Sequence, residues 1–196
     1  MKNTLTLFIA LLTLPLAAAV KNGQTAPDFT LADINGKTVS LDDFAGQTVV
    51  LEWINTGCPF VNKFYTNGDM PKLQKKAQDM GAVWLTINST KPQHPQYTSP
   101  GESREWAKAK DYAATWLMDP EGKVGKAYGA QTTPHMFVID AEGKVVYQGA
   151  IDSVRDADPS SIAGADNYVM DALRALQSGK EIKVAQSRPY GCSVKY

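Results

Sequence analysis

The chain has 196 residues, enough for one domain with a sizeable core and too short for several. With 43% hydrophobic and 20% charged residues, and 15 glycines and 11 prolines spread along it, the composition is globular and excludes disordered or fibrous chains. Lysine plus arginine and aspartate plus glutamate both number 20, so no basic surplus exists to attract a phosphate backbone, and nucleic acid is excluded as an expected partner.

From the N-terminus, Met1-Lys2-Asn3 carries one positive charge into the apolar run Leu5 to Leu16, which is too short to span a bilayer. Ala17-Ala18-Ala19 follows with the small residues a signal peptidase needs. Residues 1–19 therefore read as a signal peptide cut before Val20, and 20–196 as a single domain ending in a cysteine-containing tail, 180–196. No second long apolar run follows, so no stable membrane insertion is expected after cleavage and the predicted location is periplasmic or secreted. That setting is oxidising, which bears on the two cysteines, Cys58 and Cys192.

Residues 29–33 and 37–41 flank Ile34-Asn35-Gly36, predicting a hairpin, and Ser40 with Asp43 predicts a capped helical turn. The run 48–54 is β-branched and apolar apart from Glu52, as a strand covered on both faces requires. Pro59 suits a first helical turn, placing Cys58 at a helix N-terminus. The helix is expected to break near Asn67-Gly68 and to resume over 71–80. A second buried strand is predicted over 82–88, a proline-bearing loop over 91–100, and a helix over 104–113. A short strand at 116–118 and a short helix at 123–128 come next, then strands 135–140 and 144–148 as an antiparallel hairpin. Val169, Ala172, Leu173 and Leu176 give the i, i+3, i+4, i+7 stripe of a last helix, with Asp166 near its start and Gly179 past its end. The fold class is α/β, a mixed sheet covered by helices on both faces.

Three features carry chemistry. A thiol at a helix N-terminus faces unpaired N–H groups, which favour the reactive thiolate; Lys63 is read as solvated. Glu52 is a carboxylate within an apolar strand, where burial raises its pKa and lets it take or return a proton, although a satisfied ion pair would explain it equally. Gln131-Thr132-Thr133-Pro134-His135 sets a proline before a buried strand, and His135 is one of two histidines. Beside a thiolate it would tune the sulfur; as a lone strand histidine it would be structural. Trp84, Trp106 and Trp116 read as ordinary core.

These residues carry a resemblance. Ala26-Pro27-Asp28-Phe29-Thr30-Leu31, Gly36-Lys37, Ser40-Leu41-Asp42-Asp43-Phe44 and Val49-Val50-Leu51 resemble the opening of the redoxin branch of the thioredoxin superfamily, which holds peroxiredoxin-like and alkyl hydroperoxide reductase-like proteins. Asp119-Pro120-Glu121-Gly122, Tyr128-Gly129, Thr133-Pro134 and Phe137-Val138-Ile139-Asp140 resemble its second half. Gly57-Cys58-Pro59-Phe60-Val61 with Gly191-Cys192-Ser193-Val194-Lys195 is similar to a peroxiredoxin-like group within it. The resemblance implies a thioredoxin-like fold, with the first hairpin as an N-terminal extension. It also implies that Pro134 is cis, that its loop lies against Cys58, that His135 comes close to Cys58, and that Glu52 takes the place of thioredoxin's buried acid.

The departures shape the chemistry. Thioredoxins carry Cys-x-x-Cys, whereas Asn55 and Val61 stand at both positions three residues from Cys58, so no local redox disulfide can form. Peroxiredoxins typically carry Pro-x-x-x-Thr/Ser-x-x-Cys, whereas this chain has Leu51 and Asn55, with Thr56 or Asn55 as substitutes for the hydroxyl, and the peroxidase arginine is not assigned to any of Arg104, Arg155, Arg174 or Arg188. The leading expectation is an exported thiol oxidoreductase in which Cys58 attacks a peroxide or protein disulfide, Cys192 resolves the product, and an external thiol reductant resets the pair. A structural Cys58–Cys192 bridge, a redox-inactive binding module and a copper-handling protein using Cys58 and His135 stay open beside it. No cofactor-binding or metal-ligand motif is expected.

Overall fold

The computed structural model describes residues 19–196, so the expected leader, 1–19, lies outside the described residues but for Ala19. The two apolar runs become the central strands β3 (Val49–Trp53) and β4 (Val83–Asn88), paired in parallel with Glu52 opposite Thr86. The predicted hairpins are β1 (Thr30–Asp33) with β2 (Thr38–Ser40), and β7 (His135–Ile139) with β8 (Val145–Gly149). With β5 (Thr115–Met118) they form a mixed seven-stranded sheet in the order β2-β1-β5-β4-β3-β7-β8. A separate two-stranded ladder joins β6 (Thr132–Thr133) to β9 (Cys192–Ser193). The cysteine-containing tail thus supplies a short strand that the sequence did not predict. Two residues are too few to leave a hydrophobic period in sequence.

Among the described residues five α-helices flank the sheet: α1 (Pro59–Tyr65), α2 (Asp69–Asp79), α3 (Pro100–Ala109), α4 (Lys123–Tyr128) and α5 (Tyr168–Gln177). The break between α1 and α2 falls at Gly68, whose φ of 72° is left-handed and open to glycine at no steric cost. α3 corrects the expectation of a helix over 104–113. Ser99 caps it, its Oγ accepting from Glu102 N while the Glu102 carboxylate accepts from Ser99 N at 2.8 Å, with Pro100 at the first position. The chain leaves α3 at Lys110, ahead of Asp111 at φ 50°. α5 is capped by Asn167, next to the Asp166 expected near its start: Asn167 Oδ1 accepts from Met170 N at 2.9 Å.

Alternation along β3 and β7 divides the interior. Val50, Ile54, Met136 and Val138 face one cluster with Cys58, Phe64, Trp84 and Leu173, covered by α1, α2, α3 and α5. Val49, Leu51, Trp53, Phe137 and Ile139 face the other, with Val124 and Tyr128 of α4. Among the described residues no helix is long and apolar enough to cross a membrane.

Candidate active site

Cys58 ends the turn after β3 and caps α1 with extended backbone, and its side chain is fully buried. The Thr133–Pro134 bond is cis, and the Cys58 Sγ donates to the Thr133 carbonyl at 2.9 Å. Cys192 reaches the same place from the far end of the chain. It pairs with Thr133 across the β6–β9 ladder, beside the carbonyl that takes the Cys58 thiol. Both cysteines are free thiols. Gly191 makes this approach possible: its φ is 132°, and a methyl group there would overlap the Thr133 carbonyl.

The two thiols differ electrostatically. Burial opposes ionisation of Cys58, but the Cys192 thiol, the Thr133 side chain and the backbone amides of Cys192 and Val61 favour its thiolate, and the net effect holds it below the ordinary cysteine value. Cys192 is pushed up to about 11 by its burial, then by the hydrogen bond to Cys58 and the Cys58 charge, with Lys195 opposing.

Glu52 lies on the Cys58 side of the sheet, wholly buried. Its carboxylate accepts from Tyr65 Oη at 3.0 and 3.1 Å, Trp84 Nε1 at 2.9 Å, and Gln74 Nε2 and Thr86 Oγ1 at 3.3 Å each. Burial raises its pKa to about 7 against those hydrogen bonds. None of these partners is a cysteine; the link to Cys58 runs through α1, with Cys58 at one end and Tyr65 at the other. Tyr65, Gln74 and Thr86 went unread in the sequence, and Trp84 is more than core. A buried carboxylate was the signal that donors must surround it.

The His135 side chain makes its contacts on the face opposite the Cys58 cluster. It follows the alternation of Phe137 and Ile139, so its ring lies against Phe137 at 4.6 Å in the opposite cluster, and Nδ1 accepts from Gln131 N at 3.1 Å. Burial lowers its pKa to about 4, leaving a neutral imidazole. Among the described residues no group of three His, Cys, Asp or Glu side chains converges as a metal site.

Lys63 is a second correction. Its ammonium is buried, 3.5 Å from Asp152 and 3.2 Å from Asp156, and donates to the Val154 carbonyl at 2.8 Å. Tyr190 Oη donates to the same Asp152 carboxylate. Asn55, at the position where peroxiredoxins carry a hydroxyl, is committed elsewhere: Nδ2 donates to Thr90 Oγ1 at 2.8 Å, and Oδ1 accepts from Gly57 N at 2.9 Å. Arg104 donates to the Ile34 carbonyl. Arg155 and Arg188 line a cleft of about 430 Å³ with Phe60, Thr132 and Tyr190, alongside the tail.

Residues 22–148 match the AhpC/TSA family. Thiol-disulfide oxidoreductase ResA of Geobacillus thermodenitrificans is 31% identical over 134 residues, covering 65% of this chain and 68% of that protein. A hypothetical protein of Sinorhizobium meliloti superposes with a TM-score of 0.78 at 27% identity, over 92% of this chain and 97% of that one. An exposed lipoprotein thioredoxin of Streptococcus pneumoniae gives 0.56 at 28% identity, over 76% and 100%.

Proposed function

This chain belongs to the AhpC/TSA family, in the redoxin branch of the thioredoxin superfamily, and on that premise we propose that it is a thiol oxidoreductase working by disulfide exchange between Cys58 and Cys192. The observation that carries the reading is the shared contact: Cys58 Sγ donates to the carbonyl of the residue that pairs with Cys192. Cys58, held low, is the nucleophile, and Cys192, held high, waits as the thiol that resolves.

The Cys58 thiolate attacks one sulfur of a substrate disulfide, forming a mixed disulfide and expelling one substrate thiolate. Cys58 then no longer carries charge or takes the Cys192 hydrogen bond, so two of the three influences that raise the Cys192 pKa vanish. The Cys192 thiolate attacks the Cys58 sulfur, the Cys58–Cys192 bond forms, and the second substrate thiolate leaves with the electron pair. Protons from the two cysteines pass to the two substrate thiolates, and an external dithiol resets the bridge. ResA, itself named a thiol-disulfide oxidoreductase, supports disulfide over peroxide as substrate. So does Asn55, whose side chain is already spent on Thr90 and Gly57. Pro134 frames the nucleophile through the Thr133 carbonyl, and Glu52 acts on it through α1. Residues 1–19 and the exposed lipoprotein relative support export.

The test is intact mass of the reduced protein after a protein-disulfide substrate or one equivalent of hydrogen peroxide, beside Cys58→Ser and Cys192→Ser. Exchange predicts rapid loss of two hydrogens with the disulfide, and a trapped mixed disulfide in Cys192→Ser. Faster bridging with peroxide, and a sulfenic acid trapped in Cys192→Ser, would move the reading to a peroxidase. Inert thiols with both oxidants would overturn it.

A further inference from the structure

The tail that carries Cys192 is held by more than the short β6–β9 ladder. Ser187 Oγ lies 2.7 Å from Tyr147 Oη and accepts from Ala150 N at 2.9 Å, docking the tail at the end of β8. Val194 N donates to Gln131 O at 3.0 Å beyond the cysteine, and Tyr196 Oη donates to Ala130 O at 2.7 Å. Between these anchors, two residues before Cys192, sits Tyr190. Its ring meets Phe60, two residues after Cys58, edge-on at 5.9 Å, and the Lys63 ammonium lies 5.6 Å from its centre. Its hydroxyl donates to Asp152, the buried partner of Lys63.

Tyr190 thus touches the helix that presents the nucleophile and the tail that presents its partner. Lys63 and Asp152 are buried at 1% and 2% exposure, and a buried ion pair persists only where further hydrogen bonds satisfy it. Such a pair is a poor source of stability but fixes geometry well, since each member is costly to leave unpaired. We propose that Tyr190 is the positioning residue of the disulfide step: through Asp152, Lys63 and Phe60 it locks the tail to α1, so that Cys192 meets the Cys58 sulfur at high effective concentration. This rests on the exchange reading above and adds the element that sets how favourable the internal bridge is.

An internal disulfide competes with external thiols in proportion to the effective concentration of its partner sulfur, so the equilibrium in a glutathione redox buffer reads the lock directly. The experiment equilibrates full-length protein in reduced and oxidised glutathione, quenches it with acid, and counts bridged chains by mass for wild type, Tyr190→Phe and Tyr190→Leu. Tyr190→Phe keeps the ring on Phe60 and loses only the hydroxyl, and lowers the bridging constant about tenfold, the worth of one hydrogen bond to a charged group. Tyr190→Leu loses the ring contact as well and lowers it further. Thermal unfolding of the same variants in a Cys192→Ser background checks that each remains folded. Bridging constants equal to wild type in both variants would overturn the positioning role while leaving the exchange reading intact. A wild type that never bridges Cys58 to Cys192 in any glutathione buffer would overturn both.

Discussion

The two faces of one sheet treat their titratable residues alike and use them differently. Glu52 and His135 sit one register step apart on the neighbouring strands β3 and β7, Glu52 opposite Met136 and Trp53 opposite His135. Burial disfavours the charged form of both, raising the carboxyl to about 7 and lowering the imidazole to about 4. Glu52 points to the face with α1 and the sulfurs, where Tyr65, Gln74, Trp84 and Thr86 donate to it. His135 points to the aromatic face with Trp53, Tyr128 and Phe137, and its Nδ1 accepts from Gln131 N. Nearness in sequence to Pro134 therefore does not decide which face a side chain takes. The side of the pleat decides it.

The largest test of this asymmetry is Cys58→Ser, which removes the sulfur proposed to attack the substrate on the Glu52 face. Disulfide reductase turnover is expected to fall by about a thousandfold or more, read in a coupled thiol assay. Gly191→Ala, next in size, drives a methyl group into the Thr133 carbonyl and lifts Cys192 from its partner. The expected outcome is bridging slowed by about tenfold or more, with a stability loss of about 1 to 3 kcal/mol in urea unfolding.

The pH response separates the faces by sign. Between about pH 4.5 and 7 folded Glu52 holds a proton that the unfolded chain has released, so its contribution to stability falls as pH rises, by about 3 kcal/mol in all. Between about pH 4 and 6.5 the unfolded chain protonates His135 while the fold does not, so its contribution falls as pH drops, by about as much. The two slopes oppose each other where the windows overlap. Glu52→Gln is expected to unmask a wild-type-relative gain on raising the pH, and His135→Phe a gain on lowering it, in urea unfolding across that range. Parallel profiles for the two variants would contradict the opposite-sign assignment. The smallest effect is on activity: His135→Phe should keep turnover within about threefold, whereas a general base on the sulfur would cost at least about a hundredfold.

The strands, the break at Gly68, the capping Cys58 and the buried carboxylate were legible because each is written in local residues: β-branched runs, a glycine, a proline after a cysteine, one charge among apolar neighbours. α3 was misplaced although Ser99 and Glu102 spell its capping box, because Pro100 was read as the end of the proline-bearing loop. Lys63 was read as solvated because its partners Asp152, Asp156 and Tyr190 lie far along the chain.

By itself, then, the sequence determined the order of elements, the redoxin resemblance, the absence of a local Cys-x-x-Cys and the identity of the two sulfurs. Hydrophobic period and turn chemistry are properties of neighbouring residues and survive in one dimension. The tertiary structure alone decided that Cys192 lies opposite Thr133, that His135 faces away, and that Tyr190 and Asp152 tie the tail to α1. Those facts depend on strand register and on contacts between distant segments. Moving a strand by one residue would exchange the faces of every side chain on it without changing a letter of the sequence.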